Sequence, residues 1–279
     1  MNRAERPPAP DPLPHPVVDN HCHLEMTLDG VEPWTADQAL EAAAAVGVPR
    51  IVQIGCELES ARWSVQAAAR LDALVAAVAL HPNEAPRLAG QGAFEEAFEE
   101  ISRLAEDDQV RAVGETGLDH FRTGKEGRAA QELSFRMHIA LARRLGKTLV
   151  IHDRDAHAEV LRVIDEEGAP DRVVMHCFSG DADFARACLE RGFWLSFAGT
   201  VTFKNASALR EALRVAPRDR LLVETDAPFL TPVPHRGRPN ASYLVPLTVR
   251  VMADERGEDL ATLCAALESN TFGAFGGSW

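Results

Sequence analysis

The sequence predicts an α/β protein of the (β/α)8 TIM-barrel class, with a metal site at the C-terminal ends of the strands. Three observations carry that prediction. Short runs rich in Val, Ile and Leu recur eight times along the chain. Amphipathic segments of helical length lie between them. The runs end again and again on a histidine or a carboxylate. Near-continuous apolar strands are expected of a parallel sheet covered on both faces. Strand and helix in alternation place that sheet in a barrel or in a doubly wound fold. A doubly wound sheet usually has fewer strands and often a glycine-rich turn after the first; here the first run ends in His21 and His23, and no GxGxxG follows.

The first strand starts near Val17 (VVDNHCH) and leads to a helix over 35–46. Thr35 and Gln38 have the spacing of a capping box, and Gly47 sits where that helix should stop. The second strand starts near Arg50 (RIVQIGC), with a helix over 57–71. The third starts near Leu74 (LVAAVALHP), with its helix over 93–107. The fourth, near Val110 (VRAVGET), precedes 129–145, and the fifth, near Thr148 (TLVIHDR), precedes 156–167. The sixth, near Val173 (VVMHCFSG), precedes 181–191, and the seventh, near Phe193 (FWLSFAG), precedes 207–215. The eighth, near Leu221 (LLVETDAP), is followed by helices over 246–256 and 260–269. Gly146, Gly168 and Gly192 mark further helix ends. Residues 17–279 read as a single barrel domain, preceded by a flexible Pro-rich tail over 1–16.

At 279 residues and 46% hydrophobic, the chain can bury a sizeable core. No apolar run approaches the roughly 18 residues of a membrane span, and the N-terminus lacks the apolar stretch of a secretory signal. Five cysteines, an odd number with no CxxC pair, read as reduced thiols and a cytoplasmic setting. A net charge of −13 argues against a protein that coats long duplex DNA. It leaves room for a metal enzyme that grips one strand end. No membrane contact and no obligate protein partner is indicated.

In a barrel the active site lies at the C-terminal strand ends. Those ends carry His21 and His23, His81, Glu115, His152, His176, and Glu224 with Asp226. Residues i and i+2 of a strand share a face, so His21 and His23 should project together into the mouth. Imidazoles with carboxylates suit divalent ions. His21, His23, Glu115, His152, His176 and Asp226 exceed what one ion takes from protein, so two ions bridged by Glu115 are expected. Such a pair would clamp the attacking and leaving oxygens of a hydrolysis. Asp226 is expected to be both ligand and general base, and Glu224 to orient a ligand histidine. Glu115 and Asp226 are thus the catalytic candidates. His81 reads as a substrate or outer contact. His138 and His157 read as structural or surface residues, and Cys22 and Cys177, offset by one from ligands, as core.

The motifs DNHCHL, LHPNE, GETGLDHF, IHDRDA, HCFSG, GTVTFKNA and ETDAPFLTPVPHRGRPN together resemble the TatD family of metal-dependent deoxyribonucleases, within the amidohydrolase-like barrels. The match runs from about Val17 to Phe275. The resemblance implies a TIM barrel with a one- or two-metal hydrolytic centre. The family's metal positions fall on His21, His23, Glu115, His152, His176 and Asp226. It also implies nuclease activity, often 3′-to-5′ exonuclease on single-stranded DNA, and divalent ions, Mg, Mn or Zn. The chain departs from the family at His120-Phe121, at Asp153, where serine is frequent, and at Ala241-Ser242, where Glu-Pro is usual.

A phosphodiester substrate also needs positive charge beyond the metals. Arg122, Lys125 and Arg128 follow the fourth strand, Arg154 the fifth, Lys204 the seventh, and His235, Arg236 and Arg238 the eighth. His81, Arg154, Arg122 and Arg236 are the expected substrate contacts, with Phe121, Phe203 and Phe229 available for stacking on bases. The alternative is a hydrolase of a small amide, ester or lactone on the same centre. That would be favoured by a carbamylated lysine bridge, and the fourth strand contains no Lys.

Overall fold

Eight parallel strands lie side by side in chain order in the computed structural model, which describes residues 4–279. They are β1 (Val18–Cys22), β2 (Arg50–Gly55), β3 (Leu74–Val78), β4 (Val110–Asp119), β5 (Thr148–Arg154), β6 (Val173–Met175), β7 (Trp194–Phe197) and β8 (Leu221–Val223). The helices between and after them are α1 (Ala36–Ala44), α2 (Leu58–Arg70), α3 (Glu84–Gln91), α4 (Phe94–Leu104), α5 (Arg128–Leu145), α6 (His157–Glu167), α7 (Ala182–Glu190), α8 (Ser207–Val215), α9 (Val245–Arg256) and α10 (Leu260–Ala274). The expected capping box is present, with Thr35 and Gln38 satisfying each other's backbone amides.

Side chains sort by strand parity. Val52, Ile54, Val75, Ala77, Val150, Val174 and Leu222 belong to one apolar cluster that fills the barrel. The residues of opposite parity, such as Ile51, Leu74, Leu149 and Leu221, join the larger cluster between strands and helices. The sheet closes between β1 and β8 without a regular ladder, through a single bridge, Cys22 to Ala227. Side chains hold this seam. Thr225 donates to Asp19 through both its amide (2.9 Å) and its hydroxyl (2.6 Å), and the Asn20 amide donates to Val223 O at 2.8 Å.

Two expectations are corrected. The third strand is followed by an extra helix, α3, in a segment whose Pro86 and Gly90 break a simple helical pattern. Pro86 sits in the first turn, where a missing N–H costs no helical hydrogen bond. The second correction concerns the flexible tail expected over 1–16. Residues 4–16 form no helix or strand, but they are tied to the barrel. Leu13 is buried and its amide donates to Val46 O at 3.0 Å. The Tyr243 hydroxyl donates to Pro7 O at 2.6 Å, and Arg238 and Arg250 donate to the carbonyls of Glu5, Arg6, Asp11 and Pro12. Side chains from the barrel thus satisfy backbone acceptors that have no ladder of their own. Residues 1–3 lie outside the described residues.

His138 of α5 is fully buried and fastens the chain just before His81. Its Nε2 accepts the Leu80 amide at 3.1 Å, and its Nδ1 lies 2.7 Å from Ser134 O. That pattern requires a neutral ring, and burial lowers its pKa to about 4. An unfolded imidazole titrates near 6.5. Between those values the unfolded chain binds more protons, so this group's contribution is full above about 6.5 and is lost as pH falls toward 4. The loss is on the order of 3 kcal/mol. His138→Gln should therefore be less stable than the parent at pH 7, and the gap should narrow at pH 4.5. Urea unfolding of both proteins at the two pH values measures it, and a constant gap would contradict the neutral ring.

Candidate metal centre

The donors reach the mouth by two routes. His81, His152, His176, Glu224 and Asp226 continue the inward parity of Val75, Val150, Val174 and Leu222. Simple alternation from Val18 or Ala112 would instead turn His21 and Glu115 away. Register irregularities between Asp19 and Cys22 and between Val113 and Thr116 shift the parity and bring them inward. Gly117, at φ +139, lets β4 pass close to β5, where a Cβ would collide with the His152 carbonyl oxygen.

Glu115 is the hub. Its Oε1 lies 2.5 Å from His152 Nδ1 and 3.4 Å from both His81 Nε2 and His176 Nε2. Its Oε2 lies 3.3 Å from His21 Nε2 and 3.4 Å from Cys56 Sγ. Asp226 Oδ1 lies 3.5 Å from His23 Nε2 and 3.8 Å from His21 Nε2. Outer groups face the remaining ring nitrogens. Glu224 Oε1 is 2.8 Å from His176 Nδ1, Ile54 O is 3.2 Å from His23 Nδ1, and Asp119 Oδ2 is 3.3 Å from His152 Nε2. The Asn83 amide donates to His81 Nδ1 at 3.0 Å, which leaves a neutral His81 ring its proton on Nε2, facing Glu115.

These residues fit divalent ions. Both nitrogens of His21, which is 0% exposed, lack a hydrogen-bond partner. His152 Nε2 and His176 Nδ1 approach carboxylates without aiming an N–H along the contact. Buried polar atoms left this way are unusual unless an ion or water completes them. Two separate triads, His21–His23–Asp226 and His81–Glu115–His152, each present donor atoms within 4.8 Å of one another. Two ligands on one ion lie about 4 Å apart at most.

Carboxylates and imidazoles in the pocket stabilise each other's charged forms. Burial opposes ionisation of Glu115, yet His176, His81 and His152 hold its carboxyl well below the usual range. Asp226 is likewise lowered against burial by His23, His176 and His21. Burial disfavours charge on His152 and His23 too, but Asp119 and Glu115 raise the first to about 9, and Asp226 and Glu115 raise the second to about 8. His21 is lowered, by burial first and then by His176, on which its ring stacks at 3.5 Å.

Around the mouth, Arg154 lies 3.9 Å from the ring centroid of Phe121, which is 64% exposed, and Arg236 lies 3.9 Å from that of Phe203. Among the described residues, the side chains of Arg122, Lys125, Arg154, Lys204 and Arg236 form no hydrogen bond or ion pair. Many basic residues on the helical faces are salt-bridged, among them Arg62, Arg87, Arg136, Arg162 and Arg191, while Arg103 of α4 is not. Arg238 is a correction to the expected rim, since it is spent on the N-terminal segment, where it meets the Glu5 carboxylate at 3.7 Å. Cys177 is a second. Its positive φ of 43° takes it off the regular strand path, and it is only partly buried. Burial pushes its thiol up, with Asp226, Glu224 and Glu115 adding to the effect.

Two site neighbours were missed from sequence. Cys56 follows Val52 and Ile54 at two-residue spacing, a signal that was available. Asp119 ends a fourth strand longer than its apolar run suggested. Its Oδ1 accepts the amides of Phe121 (3.0 Å) and Arg122 (2.8 Å), so it shapes the basic loop as well as facing His152. His15 pairs with Glu268, and His157 pairs with Asp153 and stacks on Phe184, both outside the donor set.

The family profile described as TatD related DNase matches residues 18–276. The chain is 44% identical over 270 residues to an uncharacterized metal-dependent hydrolase, TatD, of Mycobacterium tuberculosis (strain ATCC 25618 / H37Rv), covering 94% of this chain and 99% of that protein. It is 34% identical over 241 residues to a Cronobacter sakazakii (strain ATCC BAA-894) protein named 3′-5′ ssDNA/RNA exonuclease TatD, covering 84% and 89%. Among solved structures it is similar to YJJV, a TatD homologue from Escherichia coli K12. The TM-score is 0.85 and the identity 27%, over 94% of this chain and 98% of that one. No helix of the described residues is long and apolar enough to cross a membrane.

Proposed function

The chain belongs to the TatD-related DNase family of metal-dependent hydrolases, and from that premise we propose that it is a deoxyribonuclease removing nucleotides from the 3′ end of single-stranded DNA. The observation that carries the proposal is the distribution of unpaired charge. In a chain of net charge −13, Arg122, Lys125, Arg154, Lys204 and Arg236 stand without ion-pair partners at or just after the C-terminal ends of the strands, on the side of the candidate metal centre. A local basic rim attracts an anionic strand end while the rest of the surface repels nucleic acid. The name of the Cronobacter relative supports the same direction of digestion.

In this reading His21, His23 and Asp226 would hold one divalent ion and His152 and His176 a second, with Glu115 serving both. When bound, the ions would supply Lewis acidity for water activation. Asp226, kept ionised by its histidine neighbours, takes the proton of the attacking water. Glu224 and Asp119 orient His176 and His152. His81 turns its Nε2–H toward the scissile group as a hydrogen-bond donor. Arg154 and Arg236, each seated over an aromatic ring, Phe121 and Phe203, meet the flanking phosphates with Arg122.

The test is hydrolysis of a 3′-labelled single strand beside a small neutral ester. Chelation should abolish DNA hydrolysis, and a divalent ion should restore it. Replacing Arg122, Lys125, Arg154 and Arg236 with Ala should raise KM for DNA and reduce the slope of its salt dependence by about one per lost phosphate contact. Ester hydrolysis should not respond. Full activity in metal-free protein would overturn the metal reading. Equal losses on both substrates, or turnover of the ester alone, would move the assignment to a small-molecule hydrolase.

A further inference from the structure

The carboxylate–imidazole reading leaves one donor at the centre unused. We infer that Cys56 is a thiolate ligand to the metal position on the Oε2 side of Glu115, so that the two positions differ in chemistry. One carries a soft sulfur donor and the other does not. This rests on the two-ion reading above.

The geometry comes first. Cys56 follows Val52 and Ile54 on the inward parity of β2, just past the strand end, and is 8% exposed. Its Sγ lies 3.4 Å from Glu115 Oε2 and 4.0 Å from His23 Nδ1. His23, Cys56 and Glu115 each present a donor atom within 4.8 Å of the other two. The residue's backbone is fixed, too. Its amide donates to Ser60 Oγ at 2.9 Å, and its carbonyl accepts the His81 amide at 2.9 Å. A thiol held between α2 and a site histidine has little freedom to turn away.

A second observation is independent of the thiol. His21 is fully buried, has no hydrogen-bond partner at either nitrogen, and points Nε2 at the same oxygen, Glu115 Oε2, at 3.3 Å. An unsatisfied imidazole and a thiol therefore converge on one carboxylate oxygen. On the Oε1 side the neighbours are imidazoles alone: His81, His152 and His176.

A thiol that coordinates a divalent cation does so as the thiolate. The metal–sulfur bond forms and the thiol proton leaves to solvent, with no change of oxidation state. Thiolate favours zinc, cobalt and iron(II) over magnesium and manganese, which prefer oxygen. The Oε2-side position should therefore select a soft ion, and the Oε1-side position should be more permissive.

The experiment titrates cobalt(II) into the metal-free full chain. The unmodified protein should show a sulfur-to-cobalt charge-transfer band in the near ultraviolet. Cys56→Ser should lose it, and Cys177→Ser and Cys22→Ser should keep it. X-ray absorption on the zinc-loaded protein, which needs no variant, should give one sulfur at about 2.3 Å. Cys56→Ser should weaken zinc binding about 10–100-fold and leave manganese binding nearly unchanged. Stoichiometric metal with no sulfur in its shell would overturn the inference while leaving the two-ion centre standing. A band lost in Cys177→Ser instead would also overturn it. Failure to bind metal at all would overturn both.

Discussion

Glu115→Gln is expected to empty at least one metal position and to remove most of the turnover. The two carboxylate oxygens face different donor groups, Oε1 toward His81, His152 and His176, and Oε2 toward His21 and Cys56. A glutamine keeps the shape but offers one oxygen and an NH2, and an NH2 cannot ligate a cation. It also deletes the charge that balances His152 and His176. Loss of an outer partner typically costs about 10–100-fold in affinity or activity. A group shared by both ions should cost more than that. Elemental analysis beside kcat/KM measures the effect, and thermal unfolding of the metal-free variant separates it from misfolding. A variant that holds two ions and turns over normally would mean that Glu115 is not the bridge.

Asp226→Asn should behave differently, keeping its metal while kcat falls by roughly 10²–10⁴-fold. Asparagine retains a ligating oxygen but cannot take a proton. Asp226 sits at φ 56°, a backbone conformation Asn also tolerates, with its amide donating to His21 O at 2.9 Å. The substitution therefore leaves the β1–β8 seam intact. His21→Ala is the contrast. It removes a fully buried imidazole, should weaken metal binding, and should be partly rescued by excess metal. If Asp226→Asn loses its metal, and excess metal restores the full rate, Asp226 is a ligand only. The base would then be sought at Glu224 or His81.

The chain's local patterns carried much of this far. Eight apolar runs and the helices after them specify the barrel because burial on both faces demands such runs, whatever the register. His81, His152, His176, Glu224 and Asp226 were legible because a strand's inward face can be extrapolated two residues at a time past its end. The same rule reaches Cys56 from Ile54. Asp119 was hidden because β4 continues to the very end of GETGLD, beyond the apolar run that announced it.

What the sequence by itself determined, then, is the number and order of the strands and the residue types waiting at their ends. These follow from hydrophobic periodicity, which is a property of neighbouring residues. The tertiary structure decided which of those residues meet. Parity at β1 and β4 depends on irregularities in pairing with β2 and β5, and hydrogen-bond register between strands is not encoded within either strand alone. The split of donors across the two oxygens of Glu115, the capture of Arg238 by residues 5 and 6, and the fastening of the N-terminal segment are of the same kind. Each joins groups far apart in the chain, and only the packed barrel brings them within bonding distance.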